Sequence, residues 1–168
     1  RWFSMHFTVH WVVRKYLWFW ARVVLTLRKP IIVGITGSVG KTTTKEMIAA
    51  VLSVPEVWEK WGLTWKTHEN HNDNIGVPLS VLGVTHFPTI SLKGLQFFLS
   101  IPFRAISLGI WKPYPRILVL EFGAGAMGNI RYNTQRARPM IGIITNVGPA
   151  HLEVFGDEMG VALSLIHI

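Results

Sequence analysis

Residues 31–52 read IIVGITGSVGKTTTKEMIAAVL, and the order of their parts decides the fold. Ile31, Ile32 and Val33 make a β-branched run suited to a buried strand. Gly34, Gly37 and Gly40 punctuate the turn that follows, and Lys41 and three threonines come next. Glu46, Met47, Ile48 and Val51 then recur at helical spacing. Strand, glycine-rich loop and helix in this order are the layout of a phosphate-binding loop. Glycines let backbone N–H groups turn inward on an anion, and the helix adds its positive N-terminal end. The expected nucleotide contacts are Gly37, Ser38, Val39, Gly40, Lys41, Thr42 and Thr43. Lys41 would reach the terminal phosphates, and the Thr42 hydroxyl would ligate Mg²⁺. The strict pattern G-x-x-x-x-G-K-[ST] is missed by one residue, because position 35 is Ile and the first glycine is Gly34.

Two further strand ends point to the same chemistry. Residues 116–121 read as a buried strand ending in the carboxylate of Glu121, followed by Phe122-Gly123-Ala124-Gly125. An acid in that position resembles the second Mg²⁺-binding element of phosphate-loop enzymes. Residues 140–145 give another apolar strand, which runs into Asn146-Val147-Gly148-Pro149-Ala150-His151. Ligands of an open parallel sheet bind beyond the carboxyl ends of its strands. Residues 34–42, Glu121 and 146–151 are therefore expected on one edge of an α/β domain. The predicted fold is a phosphate-loop ATPase domain, a mostly parallel sheet flanked by helices, with a basic aromatic helix before it.

Ahead of the second strand lies Thr67-His68-Glu69-Asn70-His71-Asn72-Asp73-Asn74, a run of hydrogen-bonding side chains too polar for the core. It reads either as a loop on a polar ligand or as a solvated Asx-rich turn. His68 and His71 lack a further ligand in register, so a metal site there is not expected. Residues 53–65, with Pro55 and Gly62, read as a connector holding at most a short strand, and residues 74–83 as a short helix. In 92–110, Leu92, Leu95, Phe98, Leu99, Phe103, Ile106 and Ile110 are predicted on one helical face, with Pro102 kinking or splitting the helix. Asn129 is expected to cap a helix over 130–138.

Composition bounds the rest. The 168 residues suffice for one ordinary domain or part of a larger one. The absence of cysteine excludes disulfides and thiolate metal sites and is compatible with an intracellular compartment. Residues 1–45 hold eight basic side chains and no acid, whereas 46–168 hold nine of each. The net charge of +8 thus belongs to the N-terminal arm and the loop, and a nucleic-acid face on the body is not expected. Residues 1–30 are rich in Trp and Phe, with a predicted helix over 9–27 and no uncharged run of about 18 apolar residues to span a bilayer. Two readings stand for this helix: the interface of an anionic membrane, or packing against the protein body.

The phosphate loop, the 67–78 loop, Leu120-Glu121-Phe122-Gly123-Ala124 and residues 145–156 together resemble the Mur ligases, ATP-dependent amide-forming enzymes of peptidoglycan precursor synthesis. Within that family the residues are most similar to the branch that joins D-alanyl-D-alanine to a UDP-N-acetylmuramoyl-tripeptide. The glycine spacing that misses the general motif is this family's own. The resemblance implies ATP and Mg²⁺ as cofactors, a cytoplasmic setting (with residues 1–30 allowing contact with the inner face of the membrane), and γ-phosphoryl transfer to a substrate carboxylate. Lys41, Glu121 and His151 would carry catalysis, and Thr42, Glu121 and His151 would bind metal, His151 on a second ion. Asn146 would contact the nucleotide, while Thr67, Asn70, Asn72 and Asp73 would surround the muramoyl-peptide. The chain departs from the family pattern at Asp73, Gly125, Met127 and Asn129, and has Leu165 where the family carries a lysine.

Domain organisation follows from that likeness, which spans 30–162. Residues 1–30 form an amphipathic helical region and 31–162 a central ATP-binding domain incomplete on its C-terminal side. Residues 163–168, LSLIHI, resemble one reading frame of a transposon end used in sequencing-library preparation and are read as a non-native tail. The family's UDP-binding and C-terminal domains fall outside the chain, which by itself is expected to form no amide. Two other readings stand: a related amide ligase such as a folylpolyglutamate or cyanophycin synthetase, or a non-catalytic nucleotide-binding module at the membrane surface.

Overall fold

The apolar runs expected as strands lie side by side. β1 (Ile31–Thr36) pairs in parallel with β3 (Ile117–Glu121), setting Ile32 beside Leu118 and Ile35 beside Glu121. β4 (Ile141–Ile144) pairs with the free side of β1, and β2 (Thr64–Lys66) with the far side of β3, both parallel. The sheet order is β2-β3-β1-β4. Around it run α1 (Trp2–Arg28), α2 (Lys41–Leu52), α3 (Pro55–Trp61), α4 (Gly76–Val81), α5 (Leu92–Ile110), α6 (Asn129–Ala137), α7 (Leu152–Phe155) and α8 (Glu158–Leu165). This computed structural model describes residues 2–68, 71–86 and 92–168, with side chains of α1 and α5 from His10 and Gly94 onward. Among them no helix is long and apolar enough to cross a membrane.

Strand alternation divides the core in two. Ile32, Leu118 and Leu120 turn toward α1, α4, α5 and α6, where they meet Leu17, Trp18, Val24, Val77, Ile101 and Ile130. Val33, Ile35, Ile117 and Val119 turn the other way, toward Ile48 and Leu52 of α2. Both faces of the central strands are covered, which is why β1 and β3 read as unbroken apolar runs. β4 is an edge strand, and Ile141 and Ile144 remain exposed on it, with Met140 exposed just before it.

The helical layer corrects several expectations. The connector contains α3, with Pro55 at its first turn and Gly62 just past its end. Proline opening and glycine closing a short segment is a helix signal in its own right. α5 is neither split nor packed on the predicted face. Ile101, Ala105 and Leu108 are buried, and Leu95, Leu99, Phe103, Ile106 and Ile110 are exposed. Contacts with α1 set that rotation. Pro102 cannot donate to the Phe98 carbonyl one turn back, and the Tyr16 hydroxyl of α1 donates to it at 2.7 Å. Arg28 Nε and a terminal nitrogen donate to the carbonyls of Leu108 (2.7 Å) and Lys112 (2.6 Å), closing the C-terminal end of α5. Gly109 lets Leu27 approach to where a side chain would stand.

α1 itself buries Leu17, Trp18, Ala21 and Val24 on the body and leaves Val12, Phe19 and Leu27 exposed. At α6, Gly128 occupies the cap position in the left-handed conformation. Asn129, expected to cap, instead accepts from Asn74 Nδ2 at 2.9 Å, tying α6 to the 67–78 loop. Residues 163–165 continue α8, where Leu165 is buried, and the carbonyl of His167 accepts from Thr134 Oγ1 at 2.8 Å.

Candidate functional site

The loop between β1 and α2 closes against the segment after β4. Gly37 sits at φ 141°, and a Cβ there would stand 2.1 Å from Thr145 Oγ1, so only glycine fits. Ser38 N donates to the Asn146 carbonyl (3.1 Å), and Val39 N donates to Asn146 Oδ1 (2.8 Å). Ser38 Oγ donates to the Gly148 carbonyl (2.9 Å) and accepts from Gly148 N (3.0 Å). Thr145 Oγ1 donates to the Val39 carbonyl at 2.6 Å. Gly40, also left-handed, caps α2, and Thr43 lies exposed in its first turn. Ser38, Val39 and Asn146 are thereby brought together.

Lys41 is half-buried and folds back over the loop, with Nζ donating to the carbonyls of Gly37 (2.5 Å) and Ser38 (3.2 Å). Burial pushes its ammonium below the usual lysine range, and the Glu121 charge pulls the other way. An ammonium held on backbone carbonyls is a cation ready to exchange them for phosphate oxygens.

Glu121, at the end of β3, is nearly buried. One carboxylate oxygen accepts from Thr42 Oγ1 at 3.1 Å and lies 3.5 Å from Lys45 Nζ, and the other accepts from Asn72 Nδ2 at 3.1 Å. A hydroxyl facing a carboxylate, both hard oxygen donors, fits the first shell of Mg²⁺. Among the described residues there is no cluster of three or more His, Asp and Glu side chains for a metal. The donor set of this chain is therefore thin, as suits an ion that completes its shell with water and phosphate oxygens.

Sequence reasoning passed over Lys45. Its side chain is 1% exposed and spans Glu121 and Glu46, the latter at 3.6 Å. Helical spacing sets Lys45 on the same face of α2 as Lys41, but it does not place Glu121 opposite that face.

The remaining candidates divide. Thr67, expected near substrate, is buried and structural: its hydroxyl donates to the Val119 carbonyl (3.1 Å) and accepts from Glu121 N (2.7 Å). It therefore fixes the backbone that carries the carboxylate. Asp73 Oδ1 accepts from the N–H groups of Ile75 (3.1 Å) and Gly76 (2.6 Å), turning the chain into α4 as an Asx turn does. Asn72 reaches the site through Glu121, and its own carbonyl accepts from Gly123 N at 2.7 Å. Asn70 lies outside the described residues. His151, at the left-handed cap of α7, is exposed, with Nδ1 3.4 Å from Glu153 Oε1. It lines a small cleft with Gly37, Ser38, Lys41 and Leu165, so it stands on the loop side rather than in the Thr42–Glu121–Asn72 group. Leu165, where the resemblance expects lysine, packs with Phe155 and Val161.

Comparison with known proteins agrees with this geometry. The Mur ligase middle domain family matches residues 35–89 and 111–168. The UDP-N-acetylmuramoyl-tripeptide–D-alanyl-D-alanine ligase of Synechocystis is 36% identical over 131 residues, covering 78% of this chain and 22% of the relative. MurF of Acinetobacter baumannii superposes with a TM-score of 0.66 at 26% identity, over 92% of this chain and 27% of that one. The MurF ligase of Thermotoga maritima in complex with ADP superposes with a TM-score of 0.66 at 29% identity, over 92% and 29%. The chain spans under a quarter of the length of the curated relatives it matches. A parallel sheet of this order, with the loop, the carboxylate and the Asn146 segment at one edge, meets a family match over most of its length, and the chain belongs to the Mur ligases by their middle domain.

Proposed function

We propose that this chain is the ATP-binding middle of an amide ligase that joins D-alanyl-D-alanine to a UDP-N-acetylmuramoyl-tripeptide. The observation that carries the proposal is the meeting of Lys41, Thr42 and Glu121 at the carboxyl edge of a parallel sheet. The Synechocystis, Bacillus subtilis and Escherichia coli relatives bear the name of that ligase, and the Thermotoga neighbour was solved with ADP.

The residues divide the work as follows. The N–H groups of the 37–42 loop and the start of α2 would seat the phosphates. Lys41 would leave the Gly37 and Ser38 carbonyls for the phosphate oxygens, neutralising charge that builds up during transfer. Thr42 and Glu121 would hold Mg²⁺, which when bound screens the phosphate charge and orients the γ-phosphoryl group for in-line attack. A substrate carboxylate oxygen bonds to the γ-phosphorus as the bond to ADP breaks, giving an acyl phosphate. The amine of the incoming dipeptide then bonds to the acyl carbon, phosphate departs, and the nitrogen loses a proton. Asn72 would steady Glu121 from the substrate side, and His151 would stand beside the loop near the second ion. ATP and a UDP-linked substrate assign the reaction to the cytoplasm. Its basic and aromatic α1 favours the inner face of the membrane.

Equilibrium binding of ATP by the purified chain, with and without Mg²⁺, tests the reading. Lys41→Ala should abolish binding, and Glu121→Gln should weaken it only when Mg²⁺ is present. Unchanged binding in Lys41→Ala would refute the site. Amide formation is expected from a protein that also carries the family's flanking domains and not from these 168 residues.

A further inference from the structure

α1 and α5 are the elements that lie mostly outside the family match, which covers 35–89 and 111–168. They pack on each other and run parallel, since Tyr16 meets Phe98 and Arg28 meets Leu108 and Lys112. Each buries one face on the core and leaves another in solvent.

The solvent faces are apolar where the helices adjoin. At 100° per residue, Val12, Phe19 and Leu27 fall on the outer side of α1 nearest α5. Leu95, Leu99, Phe103, Ile106 and Ile110 fall on the outer side of α5 nearest α1. Phe103 is 76% exposed, Leu99 62% and Phe19 60%. One apolar strip thus crosses the seam between two helices, a grouping of exposed apolar side chains rather than singly scattered ones.

The rim of this strip has a single sign. Lys15 and Arg22 are exposed along its α1 border, and Lys29 and Lys112 lie past the C-terminal ends of α1 and α5, while Arg104 donates to the carbonyls of Leu82 and Gly83 and takes no part in the rim. No acid occurs from residue 1 to 45 or from 74 to 120. Trp11 and Trp111, at opposite ends of the strip, are both exposed. Apolar centre, cationic rim and tryptophan at the ends match the layers of an anionic bilayer surface: acyl chains, phosphate headgroups and the boundary between them. A protein partner would have to supply both an apolar face and an acidic border along α1.

We propose that the joined outer faces of α1 and α5 form one docking surface that lies flat on an anionic phospholipid bilayer. Leu99, Phe103 and Ile110 enter the acyl boundary beside Val12, Phe19 and Leu27, and Lys15, Arg22 and Lys29 reach the headgroups. The inference deepens the membrane placement proposed above by making α5 an equal part of the contact. It does not depend on the ligase reading. The sheet edge that carries Lys41 and Glu121 takes no part in it.

Co-sedimentation of the full chain with vesicles of equimolar phosphatidylglycerol and phosphatidylcholine tests it, beside vesicles of phosphatidylcholine alone. Binding is expected to the anionic vesicles and to weaken as salt shortens the screening length from about 10 Å at 0.1 M to about 3 Å at 1 M. Leu99→Ser with Phe103→Ser should lower it on the order of tenfold, as should Val12→Ser with Phe19→Ser. Lys15→Glu with Arg22→Glu should remove the preference for anionic vesicles. All these positions are solvent-exposed, and circular dichroism should show an unchanged fold. Loss with the α1 pair but not the α5 pair would overturn the two-helix surface and leave α1 as the contact. No binding by the folded chain would overturn both that surface and the membrane placement, while ATP binding would still report on the ligase reading. Self-association in lipid-free buffer that Leu99→Ser with Phe103→Ser abolishes would assign the surface to a second copy and overturn the proposal.

Discussion

Lys45 decides more of the site's energetics than its place in the sequence announces. It is buried against Glu121, so its removal leaves a carboxylate in a low-dielectric setting with Thr42 and Asn72 as its side-chain donors among the described residues. Breaking one side of a buried pair costs about 3 kcal/mol. Lys45→Met should therefore destabilise the chain by about that much in urea denaturation, and Lys45→Met with Glu121→Gln should recover much of the loss. Lys41→Ala should cost far less, because Lys41 is half-buried and its ammonium donates to the Gly37 and Ser38 carbonyls. The loop lysine was legible from its glycines, and Glu121 from the apolar run before it. Lys45 was not, because burial of a charge depends on what the opposite strand supplies, and the sequence does not say that Glu121 will face it. His71 gives a pH signature at the same scale. Burial, then the neighbouring His68, push its imidazole below the usual 6.5, with Asp73 pulling the other way. Between the depressed value and 6.5 the unfolded chain binds a proton that the folded chain refuses, so stability falls as pH falls through this window. Urea midpoints at about pH 7.5 and about pH 5 should differ more in the native chain than in His71→Gln.

At the level of elements, helix rotation is where the sequence misled. α5 is apolar on two arcs, Leu95-Leu99-Phe103-Ile106-Ile110 and Ile101-Ala105-Leu108, and periodicity favours the longer and bulkier first arc. Which arc turns inward was settled by contacts some eighty residues away in sequence: Tyr16 on the Phe98 carbonyl and Arg28 on the last turn. The same carbonyl explains why Pro102 passes without splitting the helix, since its acceptor is satisfied from α1. This coupling can be measured. Tyr16→Phe should cost about 1 kcal/mol, the worth of one hydrogen bond. In a Pro102→Ala background residue 102 regains an N–H for the Phe98 carbonyl, and Tyr16→Phe should then cost clearly less. A double-mutant cycle in urea reads the difference, and equal costs in both backgrounds would refute the coupling. α3 was legible in principle, as Pro55 and Gly62 bracket it, but seven residues show too little periodicity to separate a helix from a turn.

For the whole molecule, the sheet was the most legible feature, because strands buried on both faces leave unbroken apolar runs and a parallel sheet gathers their ends at one edge. Edges are less legible. β2 has three residues, and β4 carries exposed Ile141 and Ile144, with Met140 exposed just before it, beside backbone groups that meet no further strand among the described residues. Such an edge pairs readily with another chain unless charge or an overlying element covers it. The chain should therefore associate with rising concentration through β4, separately from any contact made by α1 and α5. Ile141→Lys tests this, because Ile141 is half-exposed and a lysine there sets one charge against another when two edges meet. Folding stability should change by no more than about 0.5 kcal/mol, the usual range for an exposed position. Light scattering against concentration should show the native chain associating and Ile141→Lys remaining dispersed, with ATP binding alike in both. Association that persists in Ile141→Lys but disappears in Leu99→Ser with Phe103→Ser would move the sticky surface from the sheet edge to the helical layer.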